Sequence, residues 1–450
     1  MTLRYFHTII AIAAVAAPAA AATGIVFSGS DKEVIEITPE KNTGLDAIFV
    51  VYNTDGVTAS YSATSSDVVW YRYSNLGGGY AEEAPGVTNV GREYTLAKVE
   101  PDMGYIIEDG GKRTSFWVAD YSRHPLRLDA VAPAAEQDCD NTILEMTGEG
   151  DAIHYFTING QQRTLSRDIE IEYETQVWDQ EALSFDRTSQ VKTIEYLQPT
   201  VYITPPAYCA TTFTATGDRF LKQWGMTQTT ESNTFTPNAV AVYTEAIQET
   251  NDDPDYKSNQ INAGTSGLGG SAPAEIQFRS YCTDAVVHYE WQMADDEEFE
   301  NITYRITEHD LDYTFLEEGT VFVRFVGSNS DGSCEQYGDT YTVSIGGSEL
   351  KCPNAFSPGA SEGVNDEWKV SYRSIIEFEC WIFDRYGNEI FHFDEPEQGW
   401  DGKRGGKLVK PGVYYYVIRA KGADGKEYKK SGDINILRYS TFGNSQTPVE

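Results

Sequence analysis

Val321-Phe322-Val323-Arg324-Phe325-Val326, Asn329-Ser330-Asp331-Gly332 and Tyr341-Thr342-Val343-Ser344-Ile345 decide the fold class of this chain. The outer two runs carry the β-branched and aromatic residues of strands, and the Asn-Ser-Asp-Gly between them is turn chemistry. Upstream, Cys282 and Trp291 lie in or near successive strands, with Val286-Val287-His288-Tyr289-Glu290-Trp291 between them. The spacing predicts a β-sandwich over residues 266–347. Antibody-type sandwiches place a Tyr two residues before the second cysteine. Here Gly332 holds that place, and Cys334 follows the turn instead of sitting in the preceding strand.

The same pattern extends toward the N-terminus. Ala47-Ile48-Phe49-Val50-Val51-Tyr52 is a continuous apolar run, and Val68-Val69-Trp70-Tyr71-Arg72-Tyr73 follows it. Tyr105-Ile106-Ile107 and Ser115-Phe116-Trp117-Val118 flank Glu108-Asp109-Gly110-Gly111, a hairpin turn because Gly tolerates positive φ. We expect an Ig-like sandwich over 23–133. Cys139-Asp140-Asn141-Thr142-Ile143 before Thr147-Gly148, and Cys209-Ala210-Thr211-Thr212-Phe213 before Thr216-Gly217, read as openings of two related repeats, 134–205 and 206–265. Asn159-Gly160 marks a hairpin, and Ile169-Glu170-Ile171-Glu172-Tyr173 alternates with period two. Asn251 to Asp255, leading into Gly264 to Gly270, reads as a long loop or linker. Any helices are short.

A chain of 450 residues exceeds one hydrophobic core. Its 34 Lys and Arg against 69 Asp and Glu give a net charge of −35, which repels phosphate backbones and argues against nucleic-acid binding. With 29 Tyr and 39 Gly, the composition is that of stacked β-domains. Arg4, the apolar run Thr8 to Ala17 and the small residues Ala20, Ala21 and Ala22 predict a cleavable secretory signal over 1–22.

Toward the C-terminus, motifs follow one another in a fixed order. Pro353-Asn354-Ala355-Phe356-Ser357-Pro358 precedes Asn365-Asp366, and Phe383, Arg385 and Gly387 lie in Trp381-Ile382-Phe383-Asp384-Arg385-Tyr386-Gly387-Asn388. Trp400-Asp401-Gly402, Gly412-Val413-Tyr414 and a closing segment from Gly432 to Arg438 complete the series. The order resembles the gliding motility-associated C-terminal domain of Bacteroidetes, the type B sorting domain of the type IX secretion system. We assign it residues 348–440, followed by a polar tail over 441–450. The resemblance implies a β-sandwich that serves as an export label, with Pro353 and Pro358 stiffening its entry and Trp400 pinning a turn. Two departures stand out: Gly359-Ala360-Ser361-Glu362-Gly363 replaces the family's usual Asn-Gly-Asp-Gly, and the chain continues past Arg438. Upstream, the 266–347 segment is similar to PKD and Ig-like repeats of Bacteroidetes surface proteins.

Six cysteines allow fifteen pairings, and an exported chain meets an oxidising compartment. We expect Cys282 with Cys334 inside one sandwich, Cys352 with Cys380 inside the sorting domain, and Cys139 with Cys209 by elimination; structural thiols are the alternative throughout. None forms the close pairs of zinc sites. The acidic stretches Asn251 to Asp255 and Asp295 to Glu298 lack EF-hand spacing and read as solvated loops. No H-E-x-x-H, G-x-S-x-G or Walker motif occurs. His288 near Glu290, and His309 beside Asp310, are the only acid–base pairs that suggest themselves, so we expect no enzyme and no cofactor.

The prediction is an all-β, bead-like protein of tandem Ig/PKD-like sandwiches with a C-terminal sorting domain. It would be exported through the periplasm to the cell surface or medium as a non-catalytic stalk or adhesin. Its partners would be the type IX translocon, an outer-membrane barrel protein, and a glycan or protein ligand. The alternatives are a carbohydrate-binding surface protein, with Trp70, Tyr71 and Tyr73 as its platform, and a secreted hydrolase.

Overall fold

The computed structural model describes residues 23–249, 258–261, 267–358 and 365–437. The secretory signal, the Asn251–Asp255 stretch, the Gly359–Gly363 loop, Arg438 and the 441–450 tail lie outside the described residues. The chain divides into two compact units, Met1–Thr175 with Arg187–Thr236, and Gln176–Asp186 with Pro237–Glu450. Nearly every described element is a strand, and one short α-helix occurs at Arg219–Gln223.

In the first unit, strands Ile35–Ile37, Ala47–Val51, Lys112–Asp120, Met103–Asp109, Val68–Tyr73 and Glu82–Glu83 form a six-stranded sheet in that spatial order. A four-stranded sheet (Ile25–Ser28, Thr58–Ser62, Glu93–Leu96, Val87–Val90) covers one face, burying Phe49, Trp70 and Phe116. Side chains on the other face, Ile48, Val50, Tyr73 and Trp117, enter a second core shared with Leu144, Ile171 and Phe213. This explains why Ala47 to Val51 reads as unbroken apolar sequence: alternate residues point to opposite faces, and both faces are covered. The Gly110-Gly111 hairpin forms as expected, with φ of 57° and 93° and Lys112 opposite Asp109.

Two expectations are corrected here. The segments 134–205 and 206–265 are not successive repeats, because Ile169–Asp179 pairs with Thr214–Gly217 in one sheet, Glu170 opposite Thr216. The phrases at Cys139 and Cys209 lie in one sandwich, whose other sheet is Arg127–Pro133, Thr142–Glu149 and Thr200–Ile203. The bead-like arrangement also fails for this unit, since its two sandwiches share a core instead of meeting at a linker. At that joint Arg167 and Asp218, both fully buried, form an ion pair of 2.9 Å. Tyr121 Oη donates to the same carboxylate oxygen at 3.0 Å, while the other guanidinium nitrogens donate to the Asp151 and His124 carbonyls. Every charge is met by a partner, which is what allows the pair to be buried.

The second unit opens earlier than residue 266. Val242–Ile247 pairs antiparallel with Ala274–Cys282, so this strand belongs to the third sandwich and not to a linker. Leu311–Phe315 completes that sheet. Its partner sheet contains His288–Ala294, Gly319–Ser328 and Tyr341–Ile345, with Phe278, Trp291 and Phe325 at the core. Gly332, at φ 73°, and the Gly332 N–H to Asn329 O bond of 3.2 Å make the turn that the sequence indicates. Trp178 also belongs to this unit, stacked on Tyr243 with ring centroids 4.0 Å apart.

The C-terminal domain has its own core. Strands Ala355–Phe356, Glu427–Ile436, Gly412–Gly422, Ile375–Phe383 and Glu389–Phe393 form a five-stranded sheet. Trp368, Trp400, Ile418 and Ile434 are fully buried against its inner face. Ile376 and Ala423, at one end of the sheet, pack against the third sandwich.

Candidate functional site

The domain positions its motif residues by packing around two tryptophans. Trp368–Lys369 pairs with Gly399–Trp400, Trp368 directly opposite Trp400. Both buried indoles find an acceptor: Trp400 Nε1 donates to Lys403 O at 3.0 Å, and Trp368 Nε1 donates to Pro353 O at 2.7 Å. Phe356 and Tyr414 flank Trp400 with ring centroids 5.5 and 5.2 Å away. Gly402 sits at φ 75° against Phe356 and Pro358, where a Cβ would come within 3.3 Å of the Phe356 ring. Asp401 accepts from Lys403 N at 2.9 Å and pairs with its ammonium. The sequence motifs around Pro353, Phe356, Pro358, Trp400, Asp401, Gly402 and Tyr414 thus converge on one corner.

Other motif residues act elsewhere. Asn354 O accepts from the Asn435 backbone and side chain at 2.9 and 3.0 Å. Asn365, at φ 54°, accepts from Ser357 N, and Asp366 next to it is half-buried. Gly432 leaves room for Tyr416, whose ring would lie within 3 Å of any added Cβ. Gly412 opens its strand opposite Ile436. At the far turn, Asp384 accepts from Tyr386 N and Asn388 N at 2.8 and 2.9 Å, with Gly387 at φ 82°. Hydrogen bonds from Asn388 hold this carboxyl below its usual range. Arg385 lays its guanidinium over the Tyr386 ring at 4.7 Å, and Phe383 pairs with Tyr415 on the outer face.

The expected disulfides are corrected. Cys282 is a thiol whereas Cys334 is disulfide-bonded, so these two do not pair. Cys139 is disulfide-bonded and Cys209 is a buried thiol, which excludes that pair as well. Cys352 and Cys380 do enter one core, but as thiols. Burial pushes Cys282 up to about 12 and raises Cys352 and Cys380 too. Sharing a domain is not enough to pair two cysteines: Cys352 and Cys380 enter one core and remain thiols.

The carbohydrate platform is corrected too. Trp70 and Tyr73 are 1% and 2% exposed, each in a core on an opposite face of its sheet, and Tyr71 packs beside the shared core. Glu290 is engaged by Arg305, and Asp296 accepts from Glu300 N and Asn301 N at 2.8 Å. Ser280, His309 and Asp310 come together, a grouping the sequence hid. Both Ser280 Oγ and Asp310 Oδ1 approach the same ring nitrogen, Nδ1, at 3.3 Å. A catalytic relay needs the two ring nitrogens to serve the two partners separately. Ser280 Oγ instead donates to His309 O at 2.7 Å.

Sequence reasoning also missed Trp368 and the hairpin Lys403–Arg404 with Lys407–Leu408. Gly405-Gly406 between Lys403-Arg404 and Lys407 was the available signal; both glycines have positive φ.

Fold and site together define a class: a chain of β-sandwich modules that ends in a separately cored sheet domain. Residues 350–436 match the CHU_C type IX secretion signal domain, and residues 131–232 match a fibronectin type III domain. The second match spans the sandwich that the sequence had divided in two. No curated protein matches the chain. Among solved structures, it is similar to a tetra-tandem repeat from the extending region of a large adhesion protein, at 12% identity over 86% of this chain and 96% of that one, TM-score 0.22. Fibronectin(III)-like modules of Clostridium thermocellum CbhA match at 11% identity over 45% and 100%, TM-score 0.18. Latent PorU from Porphyromonas gingivalis matches at 9% over 72% and 35%, TM-score 0.15. Scores this low carry no functional argument.

Proposed function

We propose that this chain is a non-catalytic surface or secreted protein, a stalk or adhesion module. A leader takes it into the periplasm and the type IX machinery carries it outward. The supporting observation is the coincidence of the secretion-signal match over 350–436 with a domain that has its own core. Recognition then acts on a folded surface, because the motif residues are spent on packing and turns. The upstream sandwiches supply length and surface. Deleting Lys351 to Glu450 should leave the remainder in the periplasm, read by fractionation and by protease accessibility of intact cells. Normal display of the truncated chain would reject the proposal.

A further inference from the structure

The outer face of the C-terminal sheet is not needed for its core. Val413, Tyr415 and Val417 alternate along one strand and are 45%, 45% and 38% exposed. Phe383 lies opposite Tyr415, and Trp381 opposite Val417. This apolar strip occupies the end of the sheet away from Ile376 and Ala423, which face the third sandwich. Singly exposed apolar residues need no explanation, but a contiguous strip does.

Cations gather at the same end of the sheet. The strand that carries the strip begins directly after the Lys403–Leu408 hairpin and Lys410. Arg404, Lys407 and Lys410 are exposed, as is Arg385 at the adjoining turn. None of these four forms an ion pair among the described residues, although acidic residues outnumber basic ones two to one in the chain. The nearby carboxylates are engaged: Asp401 by Lys403, and Asp384 by hydrogen bonds of its own turn, with Arg404 adding a longer-range attraction. Residues 350–436 hold 13 Lys and Arg against 14 Asp and Glu, so almost all of the net −35 lies outside this domain. Exposed cations without a close ion pair in so acidic a molecule are complementary to an anionic surface elsewhere.

We propose that this end of the sheet is a docking surface for a protein of the export machinery, one that offers an apolar patch edged by carboxylates. The inference rests on the reading of the domain as an export label and assigns the face that is read. Apolar contact would supply affinity, and the basic hairpin would set orientation and encounter rate. Arg404, Lys407 and Lys410 lie on or beside an exposed hairpin, outside the core, so reversing them spares the fold.

The test uses the full chain in its own host. R404E/K407E/K410E should lower the exported fraction at least about tenfold, since like charges facing each other across an interface cost several kcal/mol. R404K/K407R/K410R should be exported normally, and thermal unfolding of all purified variants should match the parent. Tyr415→Ser with Val417→Ser probes the strip separately, with the same expected loss. Normal export of the reversed chain, while deletion of Lys351 to Glu450 blocks export, would overturn this inference alone. Export of the deleted chain would overturn the underlying reading instead. Co-sedimentation of the parent, but not the reversed chain, with phosphatidylglycerol vesicles would assign the face to a membrane and overturn the protein partner.

Discussion

The two sandwiches of the first unit and the C-terminal domain solve the same problem in opposite ways. In the first unit, the six-stranded sheet buries both faces, and Trp117, Tyr73 and Ile48 contribute to a core built mostly from the next sandwich. In the C-terminal domain, the five-stranded sheet buries one face around Trp368 and Trp400 and leaves the other to solvent. Shared burial fuses two modules into one folding unit, whereas one-sided burial yields a module with a free surface. The docking face proposed above depends on the second arrangement.

Separating the modules should break the comparison most strongly. Residues 23–133 expressed alone would expose Ile48, Val50 and Trp117 and should aggregate or lack a cooperative transition. Residues 348–450 should fold alone, as judged by dispersed amide NMR signals. A well-folded, monomeric 23–133 fragment would contradict the shared core.

Point changes should follow. Trp117→Ala should cost about 3–5 kcal/mol, as large-to-small changes in aromatic cores do, and should lower the denaturation midpoint of the first unit. Trp400→Ala should cost a similar amount but act on the C-terminal transition. Arg167→Met leaves the buried Asp218 carboxylate uncompensated and should cost about 3–5 kcal/mol. Its denaturant midpoint, compared with that of an R167M/D218L double variant, separates loss of the pair from loss of packing.

Acid should act on the first sandwich through Asp109. Hydrogen bonds from Ser65 and Thr64 hold this carboxyl below its ordinary 3.8. A depressed folded value means that the stabilisation is present above 3.8 and is lost as pH falls below it. Asp109→Asn should therefore lower the melting temperature at pH 7 and narrow the gap from the parent near pH 2. The smallest effect concerns thiols. With Cys282 pushed up to about 12 and Cys380 raised by burial, iodoacetamide at pH 8 should label both slowly until denaturant is added. Rapid labelling of Cys380 in the native chain would refute its burial.

Much of this was legible. The turn at Gly110-Gly111, the alternation of Ile169 to Tyr173 and the order of the C-terminal motifs are local signals, set by backbone sterics and side-chain period. The division at residue 205 was not legible, because Ile171 and Ala215 are neighbours only through sheet pairing. Trp70 and Tyr73 look like a binding platform when the covering layers are unknown. The Ser280–His309–Asp310 grouping is likewise invisible until distant strands meet.

Sequence alone determined the all-β character, the hairpins at Gly110-Gly111 and Asn159-Gly160, and the presence of a C-terminal secretion-signal domain, since those depend on residue type and short-range spacing. Tertiary structure decided which sandwiches share a core, which cysteines remain thiols, and which face of the last sheet stays open. Those outcomes depend on contacts between residues far apart in the chain, and local patterning does not encode which neighbour covers a given face.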